Sequence, residues 1–254
     1  MLTFAQPKKK HMAKAEWKII HIDETDSTNR WLKDRLATAS VMTDEDHLVI
    51  MTEYQTAGRG CGTNTWESER GKNLTFSVLI RPQDMPASHQ FHISMAMSLA
   101  ICEALGTIVG DLSIKWPNDI YWRDSKIAGM LIEHTLVGTC VKDSIIGVGL
   151  NVNQRIFHSD APNPASLWQI RGHETNRSQL LHSILDAFER YLLQDNIREK
   201  YLIQLYRRRG FYPYCDKNGA FMARIITVKP DGQLLLCDEE NHERCYFFKE
   251  VRFI

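Results

Sequence analysis

Lys115-Trp116-Pro117-Asn118-Asp119, followed by Lys126-Ile127-Ala128-Gly129-Met130-Leu131-Ile132-Glu133, is the stretch on which the reading of this chain turns. Leu112 to Trp116 is a short apolar strand ending in a cation, and Pro117 stops its ladder, which leaves Asn118 and Asp119 at a strand end or turn. Ile120 to Trp122 resume an extended run and Arg123-Asp124-Ser125 turn it. Lys126 then opens a strand whose Ala128 and Gly129 leave room for close approach to the backbone. Taken singly, these are ordinary strand-end lysines and a turn whose side chains cap backbone groups. Together they bring two cations and an Asn-Asp pair to one hairpin.

The string resembles the signature of biotin protein ligases, Lys-Trp-Pro-Asn-Asp and then Lys-x-x-Gly-x-Leu-x-Glu on the next strand, with both parts intact. The resemblance implies an α+β fold: a mixed β-sheet catalytic domain with flanking helices, similar to class II aminoacyl-tRNA synthetases, plus a small SH3-like β-barrel C-terminal domain. It implies an enzyme that activates biotin with ATP and Mg²⁺ as biotinyl-5′-AMP. The acyl group then passes to a lysine of a biotin carboxyl carrier protein or domain of a biotin-dependent carboxylase.

Upstream, Trp17 to Ile22 alternates as a strand, and Asp26-Ser27-Thr28-Asn29 opens a helix running to Ala39, with Trp31, Leu32, Leu36 and Ala39 on its inward face. A cap uses one hydroxyl of Ser27 and Thr28, and the other can serve a small polar ligand. In the resembled family this pair holds the ureido ring of biotin. His47 to Tyr54 is a strand, and Gln55-Thr56-Ala57-Gly58-Arg59-Gly60-Cys61-Gly62-Thr63-Asn64-Thr65-Trp66 breaks its pattern. With three glycines close together and no large apolar side chain before Trp66, this stretch reads as a mobile anion-binding lid with Cys61 exposed. The resemblance places Gln55, Gly58 and Arg59 around biotin and the phosphate, and Trp66 on the adenine. Many bacterial members continue Gly-Arg-Gly-x-Arg-Gly, whereas Gly62 stands here where the second arginine would be, one lid charge fewer.

Asn73 to Ile80 is a further strand, and Phe91 to Gly106 an apolar helix whose Met95 and Met97 belong to the core. Val141 to Leu150 is a strand ending in Gly147-Val148-Gly149-Leu150-Asn151, whose alternate glycines clear one sheet face for a ring to lie against. Arg155 to Pro164 is a second lid candidate, and Ser178 to Arg208 a long helical region. From Gly210, turns at Asp216-Lys217-Asn218-Gly219 and Pro230-Asp231-Gly232 mark a hairpin-rich β unit. The expected division is a disordered tail at 1–16, a catalytic domain at 17–209 and a small domain at 210–254.

From the resemblance, the biotin side of the site comprises Ser27, Thr28, Gln55, Gly58, Arg59, Lys126, Gly129, Leu131, Gly147 and Gly149. The nucleotide side comprises Arg59, Trp66, Lys115, Asn118, Asp119, Lys126 and Asn151. Arg59, Lys126 and Lys115 carry the charge chemistry, and Asp119 accepts a proton from, or orients, the incoming amine.

Composition narrows the alternatives. The 254 residues are 43% hydrophobic with zero formal net charge, so there is a core to bury and no overall electrostatic footprint for nucleic acid. No run approaches the ~20 apolar residues of a membrane span, and Lys8-Lys9-Lys10 is not followed by a signal-peptide core. Six dispersed cysteines without a Cys-x-x-Cys pair fit reduced thiols in a cytoplasmic protein, and the ten histidines show no metal-ligand spacing. Residues 1–16 are too short for a helix-turn-helix, so the expectation is a monofunctional ligase without sequence-specific DNA binding, with a homodimer left open. The rival functions are a lipoate or octanoate ligase of the same superfamily and a biotin-binding regulatory module.

Overall fold

The computed structural model describes residues 16–38, 47–62, 64–159 and 161–254. The tail expected at 1–16 lies outside these except for Glu16, as do Ala39 and Thr63.

Seven strands form one mixed sheet: β1 (Lys18–Thr25), β2 (His47–Gln55), β3 (Leu74–Ile80), β4 (Leu112–Lys115), β5 (Asp119–Trp122), β6 (Ser125–Val137) and β7 (Cys140–Leu150). Their order is β1-β2-β3-β7-β6-β5-β4. Only β1 and β2 pair in parallel; every other neighbour is antiparallel.

Because side chains alternate across a strand, the two faces separate in the sequence. Val49, Met51, Phe76, Val78 and Ile80 join the main apolar cluster beneath α2 (Phe91–Gly106) and α4 (Arg177–Leu192). Leu48, Ile50, Leu79 and Ile145 pack on the opposite face under Leu32 of α1 (Thr28–Thr38). Helix α2 is apolar nearly all round and is buried from Ile93 to Leu105 except at Glu103; Met95 and Met97 are core, as expected. A helix buried on every side has no amphipathic stripe to reveal.

The helical region expected from Ser178 to Arg208 is two helices. α4 ends at Leu192, a turn with Asp195 and Asn196 intervenes, and α5 (Ile197–Ile203) follows. Asp and Asn are weak helix formers, which favours a break there. The break lets α5 swing so that Tyr201 and Leu205 reach the core. A short α3 (Leu167–Arg171) begins at Ser166 with a capping box closed by Gln169.

The five remaining strands, β8 (Tyr212–Asp216), β9 (Gly219–Val228), β10 (Leu234–Asp238), β11 (Glu243–Tyr246) and β12 (Arg252–Phe253), form an antiparallel sheet ordered β11-β10-β9-β8-β12. The two expected hairpin turns join β8 to β9 and β9 to β10. This sheet does not keep a core to itself: Tyr214, Val228, Leu234 and Leu236 belong to the cluster that holds α2 and the main sheet. Gly232, at φ 92°, is where the two sheets meet. A Cβ there would lie 2.7 Å from the Phe91 ring, and its carbonyl accepts from Trp116 Nε1 at 2.9 Å.

Candidate functional site

Register builds the floor of a cavity of about 950 Å³. Thr75 pairs with Gly149, Gly149 with Gly129, Gly129 with Asp119, and Asp119 with Lys115. Paired residues of an antiparallel ladder point to the same face, so these five form one row across four neighbouring pairs of strands. A second row runs Ser77, Gly147, Leu131. Both rows open toward α1, whose first turn contributes Ser27, Thr28 and Asn29 to the cavity wall.

Lys126 would not face this floor by simple alternation, because it has the parity of Ala128 and not of Gly129. A β-bulge at Ile127 corrects that: Ile120 pairs with Ala128, but Tyr121 pairs with Lys126. The extra residue turns Lys126 to the face of Asp119 and Tyr121, where its Nζ lies 2.8 Å from Asp119 Oδ1. Gly129 makes room for this pair, since a Cβ there would lie 2.9 Å from Lys126 Cε and 3.2 Å from Asp119 Oδ1. The close approach expected at Gly129 is thus made by the protein's own ion pair.

Lys115 donates to Tyr121 Oη at 3.0 Å and rests over the Tyr121 and Phe253 rings. Burial pushes its pKa below the ordinary lysine value, partly opposed by Asp119. Asn118 is held inward, with Nδ2 donating to Met130 O at 2.6 Å and approaching Cys61 Sγ at 3.7 Å. Cys61, expected exposed, is half-buried against this turn. Asn151 donates to Ala165 O while its Oδ1, buried in the cavity wall, has no partner among the described residues.

The glycine loop has its own hydrogen bonds. Trp66 N donates to Gly58 O at 2.9 Å, Gly60 N to Asn64 O at 2.8 Å, and Arg59 bridges Thr65, which makes a narrow hairpin. Beyond it, Glu67 accepts from the His158 and Ser159 N–H groups at 2.8 and 2.7 Å, tying the loop to the Arg155 to Pro164 segment.

The expected site residues gather on this cavity with one exception: Gly58 is buried at the hairpin base and does not line it. Its side-chain space is taken by Trp66, whose carbonyl would lie 2.5 Å from a Cβ.

The slot cleared by the alternate glycines is occupied from within the protein. Asn29 fills the space over Gly147 and the Trp66 indole that over Gly149. Trp66 Nε1 is buried there without a partner among the described residues, and Lys126 Nζ lies 5.9 Å from its ring centre. Thr28 is committed to Gln55 Oε1 at 3.1 Å and Ser77 Oγ at 2.7 Å. Ser27, which makes no side-chain bond among the described residues, is the member of the pair left for a ligand.

Sequence reading missed the contribution of the second sheet. Phe248, Lys249, Val251, Arg252 and Phe253 all line the cavity. No local signal announces them, since they come from β12 and the turn before it, more than a hundred residues from the motif. With them the wall carries Arg59, Lys115, Lys126, Lys249 and Arg252 against Asp119 and Glu67, a clear cationic excess in a chain of zero net charge. Among the described residues no cluster of three or more His, Cys, Asp or Glu suits a metal ion. Asp119 and Glu67 are committed to Lys126 and to backbone N–H groups, so the residues present build no cage for the Mg²⁺ that the resemblance implies.

Known proteins resemble this chain in sequence and in fold. A 216-residue match at 30% identity relates the chain to the biotin–[acetyl-CoA-carboxylase] ligase of Mycobacterium tuberculosis, covering 84% of this chain and 75% of that protein. The bifunctional ligase/repressor BirA of Bacillus spizizenii is 29% identical over 216 residues, 78% of this chain. That match spans 64% of the Bacillus protein's length. The Aquifex aeolicus biotin protein ligase solved in complex with biotin and ATP superposes with a TM-score of 0.74 at 25% identity, covering 93% of this chain and 99% of that one. The Biotin/lipoate A/B protein ligase family matches residues 22–151, the span from β1 to the end of the glycine-bearing β7, and the chain belongs to that family.

Proposed function

We propose that this protein is a biotin protein ligase, which activates biotin with ATP as biotinyl-5′-AMP and transfers it to a lysine of a biotin carboxyl carrier protein or domain. The observation that carries this reading is that Arg59, Lys115 and the Lys126–Asp119 pair surround a floor of glycines in one cavity. The biotin and ATP bound by the Aquifex relative support it.

A carboxylate attacking the α-phosphorus of ATP meets like charge, about 4 kcal/mol at ~4 Å and an effective dielectric of about 20. Lys126 and Arg59 offset that repulsion: Lys126 as a point charge that follows the carboxylate, Arg59 as a planar fork for two anionic oxygens. Lys115 takes the departing pyrophosphate, with Mg²⁺ entering only as part of the nucleotide substrate. When the carrier amine attacks the acyl carbon and AMP leaves, Asp119 accepts or orients the amine proton, with Lys126 Nζ at 2.8 Å fixing the position of its carboxylate. Asn151 Oδ1 and the Trp66 indole serve the nucleotide, and Ser27 serves the biotin ring.

Six unpaired thiols support a cytoplasmic setting, and we assign no sequence-specific DNA recognition to the described residues, a reading that a specific footprint would overturn. Biotin-dependent exchange of pyrophosphate into ATP tests the function directly. Exchange supported by lipoate or octanoate and not by biotin would replace it with the sister activity.

A further inference from the structure

We propose that Lys249, from the turn between β11 and β12 of the second sheet, binds the β- and γ-phosphates of the nucleotide, giving the glycine loop a second cation beside its own Arg59. The proposal deepens the ligase reading and rests on it for the identity of the nucleotide. Three observations place the residue. Gly62, at φ 73°, leaves its side-chain space open, and Lys249 Nζ fills it; a Cβ on Gly62 would collide with that ammonium. Lys249 itself sits at φ 73°, a left-handed conformation that costs a side-chain-bearing residue about 1 kcal/mol or more. The turn holding it there is pinned by Phe247 N to Glu250 Oε2 at 2.7 Å and Glu250 N to Phe247 O at 3.1 Å.

The third observation is electrostatic. Lys249 lines the cavity on the same rim as Arg252, and no carboxylate pairs with it among the described residues. A lysine held in a strained turn, aimed across a sheet boundary at a glycine and left without a counter-charge, is arranged to receive an anion. The anion of matching chemistry is a polyphosphate, whose α-phosphorus lies by Lys126 and Arg59 and whose far end extends toward the second sheet. The lysine therefore joins the glycine loop to the second sheet at the place where the triphosphate would end.

The test is calorimetry of ATP, inorganic triphosphate, adenosine and biotin on parent, Lys249→Ala, Lys249→Arg and Gly62→Ala. Lys249→Ala should weaken ATP and triphosphate about tenfold, about 1.4 kcal/mol, with adenosine and biotin unchanged. Lys249→Arg should stay within about twofold, and Gly62→Ala, which displaces the ammonium, should resemble Lys249→Ala. Unchanged triphosphate affinity in Lys249→Ala, or equal loss of adenosine and triphosphate, would overturn the proposal. If the parent exchanges no pyrophosphate while Lys249→Ala still weakens triphosphate binding, the biotin reading falls and the phosphate site stands. A parent that binds neither ATP nor triphosphate would overturn both.

Discussion

Lys126 and Lys115 lie one strand apart on the same floor, and their surroundings give them different duties. Lys126 is shared with Asp119 at 2.8 Å and reaches the cavity only through the bulge at Ile127. Lys126→Ala should lower pyrophosphate exchange by about 100-fold or more, the scale of losing one charge aimed at the transition state, while the melting temperature moves little. Exchange within about threefold of the parent would remove it from the mechanism. Lys115 has a pKa held down by burial. Its ammonium, the form that attracts phosphate, is therefore lost at lower pH than an ordinary lysine's, so kcat/KM for ATP should fall as pH rises before the usual lysine range of about 10.4. Lys115→Arg, charged throughout, should flatten that alkaline limb; a limb unchanged in the variant would assign it to another group.

The first turn of α1 is a clasp on the sheet, and the site depends on it. Asn29 Nδ2 donates to Leu131 O at 3.1 Å and Glu133 Oε2 at 2.8 Å, and its Oδ1 accepts from Ser77 at 2.6 Å, in the space Gly147 leaves. Asn29→Ala strands the buried Ser77 hydroxyl and the half-buried Leu131 carbonyl and Glu133 carboxylate, and should cost about 2 kcal/mol of stability. Urea denaturation showing a loss below about 0.5 kcal/mol would mean that the clasp does not hold the helix. The loop hairpin offers a second measurement. Cys245 is exposed, Cys102 and Cys237 are buried, with the Cys102 thiol pushed up to about 12 by burial, and Cys61 is intermediate. Alkylation should be fastest at Cys245, slower at Cys61 and slowest at Cys102 and Cys237. Biotin with Mg·ATP should slow labelling of Cys61 specifically, and equal Cys61 labelling with and without the substrates would argue that the loop does not close on them.

At the scale of the whole molecule, the second sheet shares its core and its cavity wall with the first. Trp116, inside the decisive motif, donates to Gly232 of the second sheet, and Tyr214, Val228 and Leu234 pack into the common cluster. The chain should therefore melt in one calorimetric transition, and a chain ended at Gly210 should neither fold cooperatively nor exchange pyrophosphate. Two separable transitions, or an active truncation, would show that the sheets are independent.

The Lys-Trp-Pro-Asn-Asp string, the glycine loop and the Gly147 and Gly149 pair were legible in the sequence because each is a local pattern: a proline ends a ladder, glycines permit close approach, and alternation assigns faces. By itself the sequence thus determined most of the strand succession, the family resemblance and a set of site residues of which all but Gly58 line the cavity. Tertiary structure alone decided three things. The bulge that turns Lys126 onto the floor is a matter of pairing between strands, and alternation along one strand points that residue the other way. The occupants of the glycine slots, Asn29 and Trp66, come from distant segments, so a missing side chain in the sequence shows where space exists and not what fills it. Lys249 and Arg252 reach the site from a different sheet because one core joins the two, and burial of a shared apolar surface is a property of the folded chain that no local pattern encodes.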